Sequence, residues 1–584
     1  NRSFTAPFSG YAVLYLKLAS PPAFDFSLSN SGSKSVNQGS SVTNSVTATL
    51  VSGTSQSVSF SASGLPTGAT VAFSPTSCTP STTCTTTITI STLDTTPAGT
   101  YTITVTGTAT GGVQRTTSFA LTVNPPGSSQ LITYPAPSGI TSPPDYSVKV
   151  NGRQLFVYPV RVAGDKSDDP PPEIASMVYF DFSGSVTVEV TSSRTVSSVD
   201  IRPKSYGITP TINGNKITFT LSQPRKVSLE LNGNLHFPLF VIGNPIEVNP
   251  PSPGAPNVLY FGPGIHRPGK ITPTSGQTIY IAGGAVVRGF IDGRDVQNVK
   301  VLGRGIIDGS ENASASAPLN TFVNSKDITI SGIILVGGGN TGWINTLYDS
   351  ERVTISNLKI FGSTFGGDGI DIVDSQYVTV DDCFIRTWDD NIAIKGFGGY
   401  GGPYGSTYDR SSIFQPKSIT VSRCVGWTDR ANNFVVGHVE FRNTNLASDF
   451  LFTDSDVIHN TAYNAALTVW NSDGAMVKNV RYENIRVEDT RNLFRILVDR
   501  TMWSRDPQRG NIKDVYFKDI SVTGGTAPVS LIKGYDSTHK VENITFENLR
   551  IHGNLILDAD TGEFTIGPYV SNVNFIAGTP AFDF

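Results

Sequence analysis

A unit of two short strands recurs from about residue 255 onward, and this repeat constrains the fold more than any other feature of the chain. Each copy places two runs of alternating apolar and polar residues around a polar bend, as in RVTISNLKIFGST from residue 352. Copies begin 25 residues apart at 327, 352 and 377, and 29 to 41 residues apart elsewhere. A single coil cannot bury its apolar face, but stacked coils bury a continuous core. The repeat predicts a right-handed parallel β-helix of about ten coils over residues 255–584.

The segments before the repeat predict two further β domains, so that the whole chain is expected to be all-β. Residues 23–124 carry alternating apolar positions among Ser and Thr, with turn signals about every ten residues, as in a β-sandwich. This segment resembles the immunoglobulin-like modules of secreted bacterial enzymes, which implies either carbohydrate binding or a spacer. A second β-sandwich is predicted over 128–250, after a Pro- and Gly-containing linker. Residues 1–22 predict a strand or the remnant of a preceding domain.

Composition indicates the cellular location of the protein and the classes of partner that it can be expected to bind. Only 15% of the 584 residues are charged, against about 25% in typical domains, and Ser, Thr and Gly are abundant. These features favour a secreted, extracellular protein. The net charge of -4 gives no electrostatic case for nucleic acid, and no apolar run is long enough for a membrane span. The composition leaves the oligomeric state open.

The four cysteines form two pairs with different expectations. Cys78 and Cys84 lie in the loop SCTPSTTC and predict a local disulfide. Cys383 and Cys424 lie inside apolar strand patterns and predict buried thiols. No Cys and His spacing typical of a metal site occurs, so neither a metal nor another cofactor is expected.

Carboxylates gather in the stretch from 368 to 395, DGIDIVDSQYVTVDDCFIRTWDDNIAIK. Asp389 and Asp390 are adjacent and cannot both follow a flat pleat, so we expect at least one of them at a bend. Asp368, one coil earlier, is expected to stack beside them in one cleft. These three residues are the candidate catalytic residues. Asp371 and Asp374 are expected to cap turns instead.

A third strand in each coil aligns further polar and aromatic side chains with this stretch. Trp343 and Asp368 each stand nine residues before the next repeat, which places them at equivalent positions on neighbouring coils. Trp343 and Trp470 fit either sugar stacking or the core. The Gly- and Tyr-rich segment 397–417 predicts a loop that forms a wall of the cleft. The candidate substrate-binding residues on this face are Trp343, Lys395, His438, Trp470, Asn471 and Arg495.

At these residues the chain resembles two glycoside hydrolase families, family 28 (polygalacturonases) and family 49 (dextranases and isopullulanases). The shared signature is an Asp-Gly turn at 368–369, an Asp-Asp pair at 389–390 and a Gly-His pair at 437–438. Domain order and the strand VDIRPKS at 199–205 are similar to family 49. The resemblance implies an inverting hydrolase of a polysaccharide.

Two departures from the family pattern bear on the substrate. Gly366 and Gly367 replace the usual Asn/Gln-Thr before the Asp-Gly turn. Polygalacturonases carry an Arg-x-Lys that binds the uronate carboxylate, whereas the aligned LTVWNSDG holds no cation. The main prediction is therefore a neutral α-glucan, as for a dextranase. The alternative is a polygalacturonase-like pectin hydrolase, with Arg495 as the carboxylate ligand.

The resemblance also assigns roles and leaves two other classes of protein open. Asp389 is implied to be the general acid, while Asp368 and Asp390 hold the attacking water. Inversion needs carboxyl groups about 6.5–9.5 Å apart, so that water fits between them. A polysaccharide lyase could instead use Asp371, Asp374 and Asp390 as calcium ligands. A non-catalytic glycan-binding protein is the third possibility.

Overall fold

The computed structural model describes residues 22–93, 95–125, 130–163, 173–311, 318–338, 341–397, 414–441, 444–460 and 463–578, with the side chains of 438–440 left out. Within these ranges the regular structure is strand, apart from two 3₁₀ turns at Lys204–Tyr206 and Gly309–Glu311. In the part of the chain that is described, no helix is long and apolar enough to cross a membrane. The predictions for residues 1–21 and for most of the loop 397–417 lie outside these residues. The chain divides into two compact units, the first comprising Asn1–Gln130 with Ser183–Ser185 and the second Leu131–Phe182 with Val186–Phe584.

The first unit contains a two-sheet sandwich. Buried residues of both sheets, among them Val46 and Val105, share one hydrophobic core. Cys78 and Cys84 form the predicted disulfide. One sheet contains the strands Asp25–Asn30, Ser41–Ser52, Thr83–Ser91 and Thr70–Ser74, in that order. The other contains Lys34–Asn37, Gln114–Asn124, Gly99–Ala109, Val58–Ser63 and Ser77–Cys78.

The second unit begins with two more sheets, which form the β domain of residues 131–245. Val178 and Val188, one from each sheet, are fully buried in a core that the two sheets share. The first sheet contains Gln130–Ile132, Tyr158–Val162, Glu173–Ser183, Leu239–Pro245, Lys226–Leu231 and Val199–Arg202. The second contains Arg153–Leu155, Tyr146–Val150, Val186–Ser192, Lys216–Leu221 and Thr211–Asn213.

Residues from Val258 onward wind into a parallel β-helix with three sheets, which confirms the predicted fold class. The cleft sheet stacks Asn320–Val323, Asn345–Tyr348, Ile370–Val373, Ile392–Gly396, Phe434–Phe441, Leu467–Asn471, Asn492–Val498, Val529–Lys533 and Phe564–Ile566. The second sheet stacks Val258–Phe261, Thr278–Ile281, Lys300–Gly303, Lys326–Ser331, Glu351–Ser356, Gln376–Asp381, Lys417–Ser422, Leu446–Thr453, Met476–Val487, Asn511–Val522, Val541–Glu547 and Val570–Ile576. The interface sheet stacks Ile306–Asp308, Ile334–Val336, Lys359–Phe361, Phe384–Thr387, Val425–Thr428 and Asp456–Asn460.

Different elements lie at the two ends of the helix. Gly264–Ile271 and Ala285–Arg294 pair in parallel at the start, and the second of them continues into both the interface sheet and the cleft sheet. At the far end, Arg550–Ile551 and Asn554–Leu555 form a small antiparallel hairpin. The right-handed winding stays a prediction, in agreement with the handedness rule for parallel crossovers.

The polar bend of each repeat explains why the sequence pattern encodes this coil. The bend residue adopts a left-handed backbone, which Asn and Asp tolerate better than most residues do. Asn357 has φ 50° and Asp382 has φ 53°, and their counterparts on later coils behave alike. Neighbouring strand residues then alternate between solvent and core. Ile372 and Ile394, for example, stack in register and are fully buried.

The β domain of residues 131–245 packs directly on the interface sheet. Phe240 of that domain contacts the rings of Phe361 and Phe384, with centroids 4.9 and 5.6 Å away. Arg304 of the helix donates to both carboxylate oxygens of Asp181 at 2.9 Å. Because these contacts are buried and shared, the second β domain and the helix form one compact unit.

Candidate active site

The adjacent carboxylates lie in a bend, as predicted. Residues 388–391 join the interface strand Phe384–Thr387 to the cleft strand Ile392–Gly396 and lie outside both. The bend frees Asp389 and Asp390 from the alternation of a strand. Thr387 supports it, because its hydroxyl donates to the carbonyl of Asp389 at 2.8 Å.

Backbone hydrogen bonds and strand register align the turns of neighbouring coils. The N–H of Gly369 donates to the carbonyl of Asp390 at 2.8 Å, and Ile370 pairs with Ile392. Asp368 and Asp390 therefore occupy equivalent positions on successive coils. Parallel strands stack about 4.8 Å apart, so the two carboxylates belong to one cleft.

Asp368 and Asp371 share the ammonium of Lys395. Lys395 Nζ lies 2.5 Å from Asp368 Oδ2 and 2.6 Å from Asp371 Oδ1, and all three side chains are buried. Burial raises the pKa of both carboxyl groups, while Lys395 opposes the rise. Burial alone would lower the pKa of Lys395, but the surrounding aspartates outweigh it and hold that pKa well above its usual value. The prediction that Asp371 caps a turn is wrong, because its carboxylate binds this lysine.

Asp389 accepts hydrogen bonds from backbone N–H groups. Gly366 N–H donates to Asp389 Oδ2 at 2.9 Å, and Asp390 N–H donates to Oδ1 at 3.0 Å. Burial raises the pKa of Asp389 well above its usual value, and the charges of Asp368 and Asp390 raise it further. Gly366 has φ 66°, a left-handed conformation that favours glycine, which accounts for one departure from the family pattern.

Asp390 is oriented by Asn432 from the following coil. The backbone N–H and the side-chain amide of Asn432 donate to Asp390 Oδ1 at 2.9 and 2.7 Å. Thr468 in turn donates its hydroxyl to Asn432 Oδ1 at 2.7 Å. Sequence reasoning did not assign a role to Asn432, although its place one coil after Asp390 was available as a signal.

Three predicted substrate-binding residues are buried. Lys395 and Asn471 have no exposed surface, and Trp343 is 4% exposed. The amide of Asn471 donates to the backbone of Ala475 at 2.6 Å, and the ring of Trp343 covers Lys395 Nζ at 4.0 Å. These contacts differ from the predicted contacts with substrate, because the polar groups already bind protein.

The other three candidates are placed differently. Trp470 and Arg495 are half-buried on the cleft sheet, where the guanidinium lies 6.0 Å from the indole ring. Arg495 donates to Asn464 Oδ1 at 3.0 Å and to the carbonyl of Tyr463 at 2.6 Å. Burial lowers the pKa of Arg495. The side chain of His438 lies outside the described residues.

The sequence analysis missed several residues at the rim of the cleft. They lie in bends, and the alignment of strands from coil to coil does not include the bends. Phe365 is 61% exposed and contacts Trp388 with the two rings tilted by 52° and their centroids 5.7 Å apart. Arg430 lies 5.0 Å from the ring of Trp388 and 5.1 Å from that of Tyr463. Tyr463 is 57% exposed. Aromatic and cationic side chains thus continue from Trp388, next to Asp389, to the coil of Arg495.

The proposed calcium ligands each meet a different protein donor. Asp371 accepts from Lys395, Asp374 from the backbone N–H of Phe397, and Asp390 from Asn432. Among the described residues, no group of three His, Cys, Asp or Glu side chains is arranged to hold a metal ion.

The aspartates of neighbouring coils thus lie in unlike surroundings along one sheet of the parallel β-helix. Residues 280–562 match the sequence profile of Glycosyl hydrolases family 28. The match covers a little less than half of the chain and lies within the parallel β-helix. The resemblance to family 49 stays a prediction. No curated protein matches the chain by sequence.

Solved structures show similar chains at low identity. A hyperthermoactive exopolygalacturonase from Thermotoga maritima is 15% identical, with 54% of this chain and 83% of that chain covered and a TM-score of 0.41. A putative glycosyl hydrolase from Parabacteroides merdae is 19% identical over 28% and 79% of the two chains, with a TM-score of 0.21. The A-module of an Azotobacter vinelandii mannuronan C-5 epimerase is 11% identical over 55% and 91%, with a TM-score of 0.20. At such TM-scores none of these likenesses assigns a function to this chain.

Proposed function

We propose that the protein hydrolyses an acidic, pectin-like polysaccharide with inversion at the anomeric carbon. The main support for this proposal is that the carboxylates of the cleft have different hydrogen-bond and ion-pair partners. Lys395 pairs with Asp368, whereas the donors to Asp389 among the described residues are backbone N–H groups, and the pKa of Asp389 is raised. Inversion requires one carboxyl group that holds its proton beside a carboxylate that is ionised, and Lys395 opposes the rise in the pKa of Asp368.

In the proposed reaction Asp389 is the general acid, and Asp368 with Asp390 activates water. The water oxygen bonds to the anomeric carbon as the glycosidic C–O bond breaks. Asp389 gives its proton to the leaving oxygen, and one carboxylate of the pair takes a proton from the water. Exchange with solvent then restores both protonation states. The raised pKa of Asp389 keeps it protonated closer to neutral pH than an ordinary aspartic acid.

Cations on the cleft rim support an acidic substrate over the neutral glucan that was the main prediction. The match of residues 280–562 to family 28 favours this alternative as well. Arg495 has no carboxylate within ion-pair distance among the described residues, although its guanidinium is half-buried. A sugar carboxylate is a suitable partner for it. The stretch LTVWNSDG lacks the Arg-x-Lys of polygalacturonases, and in this proposal Arg495 on the following coil takes over the binding of the sugar carboxylate.

A substrate screen tests this proposal. Polygalacturonate, dextran and pullulan are incubated with the enzyme, and the first anomer released is identified by NMR. We expect polygalacturonate to be cleaved fastest, with the product of inverted configuration. Faster cleavage of dextran or pullulan would restore the neutral-glucan prediction. Unsaturated uronate ends, detected by their ultraviolet absorbance, would identify a lyase instead.

A matched pair of arginine variants tests the recognition of the sugar acid. Arg495→Gln is expected to raise KM for polygalacturonate about tenfold or more, because a hydrogen bond to a charged group contributes about 1.5–3 kcal/mol. Arg491→Gln, at an exposed position on the approach to the same strand, is the control and leaves KM unchanged. Equal KM values for the two variants would exclude Arg495 as the carboxylate ligand.

Secretion is also part of the proposal. The disulfide between Cys78 and Cys84 supports it, since disulfides persist in oxidising compartments. A polymeric substrate outside the cell agrees with that location.

A further inference from the structure

Lys395, Asp371 and Trp343 form a buried cluster next to the proposed base. Val373 pairs with Lys395 across adjacent cleft strands, and Asp371 stands two residues before Val373 on the same face. The ammonium of Lys395 therefore reaches Asp371 and, in the turn before that strand, Asp368. The indole of Trp343 covers the ammonium at 4.0 Å and packs against Tyr348 and Phe397.

The cluster contains more negative than positive charge. Among the described residues, Lys395 is the only cation within ion-pair distance of Asp368 or Asp371. Asp389 and Asp390 add their charges from the neighbouring bend. A buried carboxylate without a counter-ion takes up a proton. The relative strength of the two ion pairs that Lys395 forms therefore determines whether Asp368 or Asp371 stays ionised.

We propose that Lys395 is a positioning residue that keeps Asp368 ionised and aimed at the water, and that Asp371 anchors its ammonium. This inference rests on the proposed function of the cleft. Lys395 moves no proton in the reaction, and its buried ammonium does not contact substrate. Trp343 excludes water from the ion pair, which strengthens the attraction between Lys395 and Asp368. Asp371 competes with Asp368 for the same positive charge.

The pH profile of kcat/KM tests this role, because its low-pH limb reports the base and its high-pH limb the acid. Lys395→Met is expected to move the low-pH limb upward by about 1–3 pH units, the usual effect of an opposite charge at such distances. Asp371→Asn is expected to move the same limb to lower pH, since Lys395 then forms its ion pair with Asp368 alone. Lys395→Arg keeps the charge and restores the limb in part. KM stays close to the wild-type value in all three variants.

Opposite shifts in Lys395→Met and Asp371→Asn support the inference. A low-pH limb that moves in neither variant overturns it. A rise in KM at a fixed limb also overturns it and returns Lys395 to substrate binding. If Lys395→Met does not fold, the downward shift in Asp371→Asn still decides the question.

A second measurement separates this inference from the proposed function. The free energy of unfolding is followed from about pH 4 to 7, where ordinary carboxyl groups are ionised. Without Lys395 the pKa values of Asp368 and Asp371 rise further, so Lys395→Met loses stability progressively as the pH rises. A role in packing alone lowers stability equally at every pH and would refute the inference. Because turnover is not needed here, failure of the wild type to cleave any polysaccharide would refute only the proposed function.

Discussion

The cleft and the interface between the second β domain and the helix both bury charged side chains, but they balance them differently. At the interface, Arg304 donates to both oxygens of Asp181, and each side chain is almost fully buried. In the cleft, Lys395 serves both Asp368 and Asp371. Among the described residues, one cation thus pairs with one aspartate in the first case, and one cation is shared by two aspartates in the second.

The pKa values of Glu230 at the interface and Asp389 in the cleft are shifted in opposite directions. Burial alone would raise the pKa of Glu230 at the interface, but His459 and Arg202 outweigh burial and hold it below its usual value. In the cleft, burial raises the pKa of Asp389, and its acidic neighbours add to the rise. Matched buried charges join two parts of a fold, whereas a surplus leaves a group poised to exchange a proton.

The largest expected effect comes from replacing the proposed general acid of the cleft. Asp389→Asn removes the proton of the general acid and should lower kcat by about 10²–10⁴-fold on the natural polymer, the usual contribution of such a group. A substrate with an activated leaving group needs little protonation and should recover part of the rate. Steady-state kinetics on both substrates measures the difference.

Two companion variants control this experiment. Asp368→Asn should not be rescued by the activated leaving group, because it affects the water and not the leaving oxygen. Asp327→Asn, an exposed partner of Arg352 on the second sheet, should keep the wild-type rate. Near-normal turnover of the polymer by Asp389→Asn would show that another residue is the acid.

The next largest effect comes from removing one partner of the buried ion pair at the interface. Arg304→Met leaves the buried Asp181 without its partner and should lower the free energy of unfolding by about 3–5 kcal/mol, with kcat of the folded enzyme unchanged. Urea unfolding measures the loss. Arg352→Met, which breaks the exposed pair with Asp327, should cost only about 0–1 kcal/mol. Equal costs for the two arginines would contradict the special role of the interface pair.

A smaller effect, this time a gain in the free energy of unfolding, is expected from the cleft. The raised pKa of Asp389 favours the folded state below about pH 3.9, and this contribution is lost as the pH rises through the folded-state pKa. Asp389→Asn does not titrate, so at neutral pH it should be more stable than the wild type. Each unit of pKa shift corresponds to about 1.4 kcal/mol. A less stable variant at pH 7, measured in the same urea series, would refute the idea of surplus charge.

The smallest expected effect concerns His459 at the interface. Burial lowers the pKa of His459, but Glu230 and Asp489 outweigh burial and raise it. The stability from this ion pair is fully present below about pH 6.5, the usual histidine pKa, and is lost as the pH rises through the folded-state value. His459→Gln should therefore remove part of the decline in stability on the alkaline side. Melting curves across that range would detect it, and an unchanged decline would argue against a charged His459.

Most of the fold could be predicted from the sequence because the repeat carries its own geometry. A polar residue at each bend, such as Asn357 or Asp382, supplies the left-handed turn, and the alternating strands supply the core. The bend that holds Asp389 and Asp390 followed from two adjacent carboxylates that cannot share one face of a strand. These features are local, so one copy of the unit is enough to recognise them.

Only the tertiary structure decided which side chains meet between coils. The step along the chain from one coil to the next is 25 residues from Asn345 to Ile370 but 22 from Ile370 to Ile392, and this change brings Lys395 beside Asp371. Arg430 reaches the cleft from a bend that no strand alignment covers. The sequence by itself determined the coil, its bends and the three cleft carboxylates, because those depend on near neighbours in the chain. Tertiary structure decided their partners, since an ion pair depends on register and distance between coils, which no short stretch of residues encodes.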